Sequence, residues 1–234
     1  MLSAGGLWAA WEVGAWKVLR DCCKPDLVVG ASAGALNGWA IAGDCTCEEL
    51  AQEWLDPRTA KLMQRGIHMT GFFKPDVLYE KARELHARFQ PNRPYGLTLV
   101  ELPLLKSRLF CHPDVTWHHL AAACAIPLGF PPVLIGGKRY VDGGLCGALP
   151  LWAAERMGAT KVIALNVLNT PLFELLRFTT RPLRPSAAME VRTLEPSQRL
   201  GSLRDALVWS QSNIRRWMEL GERDAKRALP SITM

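Results

Sequence analysis

The 234-residue chain carries no histidine beyond His119; its five stand at 68, 86, 112, 118 and 119. A hydrolase triad in the order serine, acid, histidine is therefore excluded for any acid later in the chain. None of the seven cysteines (22, 23, 45, 47, 111, 124, 146) belongs to a C-x-x-C pair, and their number is odd. That spacing argues against a zinc site and predicts buried thiols in a reducing compartment, with no metal and no cofactor. Long hydrophobic runs are also missing. The two uncharged stretches nearest to membrane-spanning length are 27–43, interrupted by Gly30, Ser32, Gly34, Asn37 and Gly38, and 120–137, broken by Pro127, Pro131 and Pro132. Both are expected in a protein core. A charged start followed by an apolar stretch is absent, which predicts a cytoplasmic or membrane-peripheral location without a signal peptide.

What is present is ordinary for a soluble globular protein: 49% hydrophobic and 21% charged residues, in a length suited to one domain. The net charge of +6 and pI near 9.1 suit an anionic partner such as a phospholipid surface or nucleic acid, and equally a plain basic protein. Apolar periodicity predicts helices over Trp11–Leu19, Ala33–Ala42, Asp76–Phe89, Thr116–Ile126 and Leu151–Met157. Thr46 and Glu49 have capping-box spacing, so a helix is expected from there to Leu55. Strands are expected at Leu27–Val29, Leu97–Leu105, Arg108–Cys111, Arg139–Val141, Lys161–Val167 and Val191–Leu194. A last helix would carry Leu203, Leu207, Ile214, Trp217 and Leu220 on one face. Strands alternating with helices predict an α/β layered fold with a largely parallel sheet.

Three short stretches carry chemistry. "LVVGASAGALNGWA", 27–40, runs a strand through Gly30-Ala31-Ser32-Ala33-Gly34 into a helix. That is the setting of a nucleophile elbow, in which small neighbours let a serine occupy a strained turn. The bland alternative, close helix–strand packing, explains the glycines but not the serine. Such a serine needs a base within hydrogen-bond reach. Asp142, after Tyr140-Val141 and before Gly143-Gly144, is the best candidate, although an ordinary Asp-Gly turn would read the same. His118 and His119, at a helix start, are expected to be structural. "LSAGGLWAAWEVGAWKVL", from Leu2, begins with a Gly-rich turn whose N–H groups would face an oxyanion or a phosphate. Ala4, Gly6 and Ala9 hold the three glycine positions of a dinucleotide fingerprint, which makes nucleotide binding a distant third reading.

In this order, Ala4-Gly5-Gly6, Gly30–Gly34 and Asp142-Gly143-Gly144 resemble the patatin-like phospholipase family. "AAACAIPLGFPPV", 121–133, and "LEPSQRLGSLRDAL", 194–207, are similar to the family's segments before the aspartate and near the C-terminus. The resemblance implies one patatin-like acyl hydrolase domain over 1–234, folded as a three-layer α/β sandwich with a mostly parallel central sheet. It implies a Ser–Asp dyad: Ser32 as nucleophile and Asp142 as general base. N–H groups of Gly5 and Gly6, with Leu7, would form the oxyanion hole. The implied partner is a lipid or ester substrate, with peripheral contact to a membrane surface and no nucleic acid. The family's turn reads G-G-G-x-[KR]-G; here Ala4 and Ala9 replace glycines and Trp8 replaces the cation. Those departures motivate a second reading, a catalytically weak relative that binds lipid or a protein partner.

Trp8, Trp11 and Trp16 suit either an acyl pocket or the core. Phe72-Phe73 is a candidate lid, and the basic stretch from Arg177 through Arg181 to Arg184 suits either anionic lipid or solvent.

Overall fold

The computed structural model describes residues 1–62, 65–68, 71–168 and 189–232, so Arg177, Arg181 and Arg184 lie outside the described residues. Its strands are β1 (Val28–Ala31), β2 (Arg65–His68), β3 (Gly71–Phe73), β4 (Tyr95–Leu102), β5 (Lys106–Cys111), β6 (Val133–Ile135), β7 (Lys138–Asp142), β8 (Lys161–Leu165) and β9 (Glu190–Leu194). The helices are α1 (Ala10–Cys22), α2 (Ala33–Ala42), α3 (Cys47–Leu55), α4 (Asp76–Arg88), α5 (Trp117–Ala123), α6 (Leu151–Arg156) and α7 (Gln211–Ile232).

β4 organises the sheet. A strand has two edges, and β5 occupies one of them along Gly96–Glu101, antiparallel. On the other edge β1 pairs in parallel with Tyr95–Thr98, and β7 pairs antiparallel with Leu99–Leu102. The C-terminal ends of β1 and β7 therefore meet head to head, at Ala31 opposite Thr98 and Asp142 opposite Leu99. Beyond β1, Leu2 bridges Gly30 and Leu165 in parallel, and β8 pairs in parallel with β9. The expected parallel sheet thus occupies the side from β9 to β4. The side formed by β5, β6 and β7 is antiparallel, so the whole sheet is mixed.

Alternation along the strands fills both faces, as a three-layer α/β fold requires. Val28, Leu97 and Leu99 face the large core built with α1, α2, α4, α5 and α7; Val29, Val162 and Ala164 face α6 through Trp152, Ala153 and Ala154. α1 and α7 approach so closely that a Cβ at Gly14 would stand 1.8 Å from the Met218 carbonyl oxygen. Trp11 Nε1 donates to Asp224 at 2.9 Å across that contact.

The Thr46–Glu49 capping box forms with both arms, at 3.1 and 2.9 Å. Other boundaries differ from the sequence reading. The strand expected over 97–105 ends at Leu102, and α5 stops at Ala123. Leu203 and Leu207 precede α7, because the chain at 201–208 crosses the Gly-rich turn before the helix begins. No disulfide joins the seven cysteines, and Cys22 is exposed rather than buried. Among the described residues no helix is long and apolar enough to cross a membrane.

Candidate active site

The end-to-end meeting of β1 and β7 brings together two residues 110 positions apart. Ser32 leaves β1 at φ 53° and ψ −132°, a left-handed conformation that costs a non-glycine residue on the order of 1–3 kcal/mol. Its flanks make that turn possible. A Cβ on Gly30 would stand 2.3 Å from the Gly34 carbonyl oxygen, and one on Gly34 would stand 2.3 Å from the Ser3 carbonyl oxygen. Close packing and serine presentation are therefore one device. The N-terminus of α2 begins at the next residue, adding its positive end to the site.

Asp142 closes β7. The Ser32 hydroxyl donates to its Oδ2 at 2.6 Å, and the Gly144 N–H donates to Oδ1 at 2.7 Å. Both residues are buried. Burial raises the Asp142 carboxyl to about 6, while the Ser32 hydroxyl and the Gly144 N–H pull it down. Gly143 and Gly144 are required by space: a Cβ on the first would lie 2.0 Å from the Thr98 carbonyl oxygen, and on the second 2.7 Å from Ala4 Cβ. That second contact joins the Asp-Gly-Gly turn to the Gly-rich turn.

Gly6 has φ 54°, and a Cβ there would meet the Ala206 carbonyl oxygen at 2.5 Å. The same oxygen corrects one expectation. The Leu7 N–H donates to Ala206 at 2.8 Å, so Leu7 is already committed and is not an open donor. The N–H groups of Gly5 and Gly6 donate to no other described residue, leaving two backbone donors. Ala4, Trp8 and Ala9 are buried in the core beneath the turn.

A cavity of about 130 Å³ opens beside Ser32. Gly6, Leu36, Leu78, Ile126, Phe130 and Leu207 give it an apolar wall. Trp54 lines it, whereas Trp8 and Trp11 are in the core and Trp16 borders a different hollow at the opposite end of β1. Phe73 reaches the cavity region by packing on Phe130, ring centres 5.7 Å apart, while Phe72 points outward. His118 and His119 make other contacts. His119 Nδ1 accepts the Thr116 N–H at 3.0 Å as part of a helix cap, and burial, with the nearby His118, lowers its ring to about 4. His118 stacks on Trp117. Among the described residues no group of three metal-ligating side chains occurs.

Sequence reasoning overlooked Cys124, Glu12 and Asn37. Cys124 lines the cavity, and its thiol is pushed well above its ordinary range by burial. Glu12 is fully buried and bonded to Ser3 and Asn37. The available signal was a lone acid inside an apolar helical turn next to the Gly-rich segment.

Comparison with known proteins identifies a family. The family described as patatin-like phospholipase matches residues 1–155. Patatin-like phospholipase domain-containing protein 6 of Mus musculus is 28% identical over 181 residues, and domain-containing protein 7 of Rattus norvegicus is 25% identical over 183. Each alignment covers 71% of this chain and only 13% of the relative, so the chain spans a small part of those proteins. Among solved structures, VipD from Legionella pneumophila superposes with a TM-score of 0.51 at 10% identity, covering 99% of this chain and 66% of that one. That likeness is one of fold.

Proposed function

This chain belongs to the patatin-like phospholipase family, and from that premise we propose that it is a serine acyl hydrolase that cleaves carboxylic esters of lipids. The observation that carries the reading is the 2.6 Å hydrogen bond to Asp142 from Ser32, which lines an apolar cavity. Asp142, as a carboxylate, takes the hydroxyl proton while Ser32 Oγ attacks the ester carbonyl carbon. The tetrahedral oxyanion is held by the Gly5 and Gly6 N–H groups, aided by the positive end of α2; removal of one such donor costs roughly 3–4 kcal/mol in a known hydrolase. Collapse expels the alcohol, which receives the proton from Asp142. Water, activated by the same carboxylate, then releases the acid from Ser32. No metal, cofactor or histidine enters these steps.

The cavity takes the acyl chain. An apolar cavity of about 150 Å³ in another protein holds benzene, so the hollow beside Ser32 suits a chain of about six carbons. The partner is a lipid or ester substrate met at a membrane surface. The alternative, a weak relative that binds lipid, draws on the Leu7 N–H already spent on Ala206.

Hydrolysis of p-nitrophenyl esters from acetate to palmitate by wild type and Ser32→Ala separates the two. Turnover that peaks at short to medium chains and vanishes in Ser32→Ala supports the hydrolase. Wild-type rates no faster than Ser32→Ala on every ester and on phospholipid would leave only the binding reading.

A further inference from the structure

One buried group next to the Gly-rich turn is not used by the Ser32–Asp142 chemistry. Glu12, in the first turn of α1, is fully buried. Its Oε1 accepts the Ser3 N–H at 2.8 Å and faces Ser3 Oγ at 3.4 Å, while Oε2 accepts Asn37 Nδ2 at 2.9 Å. Each partner is joined to a working part. Ser3 leads directly into Ala4-Gly5-Gly6, and its Oγ accepts the Val167 N–H at 3.0 Å; Val167 is the side chain against which Gly5 packs. Asn37 lies five residues beyond Ser32 on α2 and lines the cavity. Its Nδ2 also reaches the Ala9 carbonyl at 3.1 Å, at the far end of the Gly-rich turn, and its Oδ1 accepts Trp54 Nε1 at 2.8 Å.

We propose that Glu12 is a positioning residue: through Ser3 and Asn37 it holds the Gly5–Gly6 turn in register with Ser32. The inference rests on the hydrolase reading and extends it to a side chain that touches no substrate. Oxyanion donors act only when preorganised, so a bridge between the backbone before the donors and the helix after the nucleophile acts on the transition state. A buried network of this kind is also costly to leave half-made.

The charge on Glu12 gives the bridge a signature. Burial raises its carboxyl to about 8, against the bonds from Asn37 and Ser3 and the attraction of the N-terminal amine. At neutral pH it is mostly protonated, so Glu12 adds no negative charge next to a turn that must stabilise one. Above pH 8 ionisation places like charges together and weakens the oxyanion's stabilisation. The Met1 amine is the titratable group that interacts with Glu12 from the N-terminus; burial lowers it to about 6, so it is largely neutral where Glu12 ionises. From α2 comes the neutral Asn37, and through it Trp54 of α3. On α7, Asp224 is engaged by Trp11 Nε1 and the Ser197 N–H.

The test is kcat and KM on p-nitrophenyl butyrate from pH 5 to 10, for wild type, Glu12→Gln and Glu12→Ala, with Ser32→Ala as the blank. Wild-type kcat should fall with rising pH above 8 at constant KM. Glu12→Gln cannot ionise; it should keep kcat within about tenfold at pH 7 and show no alkaline fall. Glu12→Ala should lose about a hundredfold in kcat, as for a misplaced oxyanion donor, with little change in KM. The same alkaline fall in Glu12→Gln, or a folded Glu12→Ala with wild-type kcat, overturns the proposal. If Glu12→Ala fails to fold by circular dichroism, the Glu12→Gln profile decides alone. Wild type no faster than Ser32→Ala removes the hydrolase reading and this role with it. Ser32-dependent turnover with a profile indifferent to Glu12 removes this role only.

Discussion

Asp142 trades stability for reactivity. Its folded-state value of about 6 lies above the ordinary 3.8. Between those values the native protein holds a proton that the unfolded chain has released, so stability falls as pH rises through the window and stays lower above it. Asp142→Asn removes that cost and keeps the shape. It should raise stability at pH 7 by on the order of 1–3 kcal/mol, or roughly 2–12 °C in Tm, when read by thermal unfolding at pH 7 and again at pH 4, where the gain should vanish. The same substitution should lower ester turnover by at least about a thousandfold, since Asp142 is the carboxylate that accepts the Ser32 hydroxyl among the described residues. Wild-type kcat/KM should fall on the acid side of pH 6, where Asp142 takes up the proton it needs to lack. An acid limb near pH 4 instead would mean that the free-enzyme base is a solvated carboxylate.

Between elements, the functional geometry depends on backbone pieces that touch without side chains. The Gly-rich turn, the elbow and the Asp-Gly-Gly turn meet through Gly34 on Ser3 and Gly144 on Ala4. Gly144→Ala sets a Cβ 2.7 Å from Ala4 Cβ and should push the Gly-rich turn away from Ser32. A loss of about tenfold to a hundredfold in kcat is expected, on the scale of a displaced oxyanion donor. Adding Ala4→Gly removes the opposing atom, so the double variant should recover part of the rate; a double variant as slow as Gly144→Ala alone would show that the clash lies with Asp142. This scale also separates what the sequence disclosed from what it hid. Ser32, Gly30 and Gly34 were legible because an elbow is a local event, specified within five residues. The Thr46–Glu49 cap was legible for the same reason. Glu12 was only half legible: a lone acid in an apolar helical turn stands out, but only the fold shows that it meets Ser3 and Asn37. The Leu7 N–H was lost to a carbonyl 199 residues away, at Ala206, a pairing that no local pattern encodes. Leu203 and Leu207 keep a helical spacing relative to α7, yet Gly201 at φ 131° and the Ser202–Asp205 turn hold that stretch out of the helix and across the Gly-rich turn.

At the scale of the molecule, exposed apolar side chains gather on segments tied to the site. Leu128 is 76% exposed and Phe72 68%, and the Phe72 N–H donates to the Leu128 carbonyl at 3.0 Å beside the Phe73–Phe130 pair. Leu203 and Leu207 lie on the segment that caps the Gly-rich turn, and Leu207 lines the cavity. Leu145 follows the Asp-Gly-Gly turn, and the neighbouring Cys146 thiol donates to the Leu105 carbonyl beside Leu104, itself 75% exposed. Single exposed leucines need no explanation, but Phe72 and Leu128 beside the Phe73–Phe130 pair, with Leu207 lining the cavity, are apolar groups that a lipid interface would cover. The net charge of +6 adds attraction to anionic lipid. The proposed membrane contact therefore predicts that the protein cosediments with phosphatidylglycerol vesicles more than with phosphatidylcholine vesicles, and less at high salt. Ser32→Ala should bind as wild type does, since binding precedes chemistry. Full burial of a Leu or Phe side chain contributes about 1.5–3 kcal/mol, so Phe72→Ser with Leu128→Ser should weaken vesicle partition by about tenfold or more even if each side chain enters the interface only halfway. Partition that responds to salt but not to these two substitutions would make the contact purely electrostatic and put the mouth of the cavity away from the bilayer.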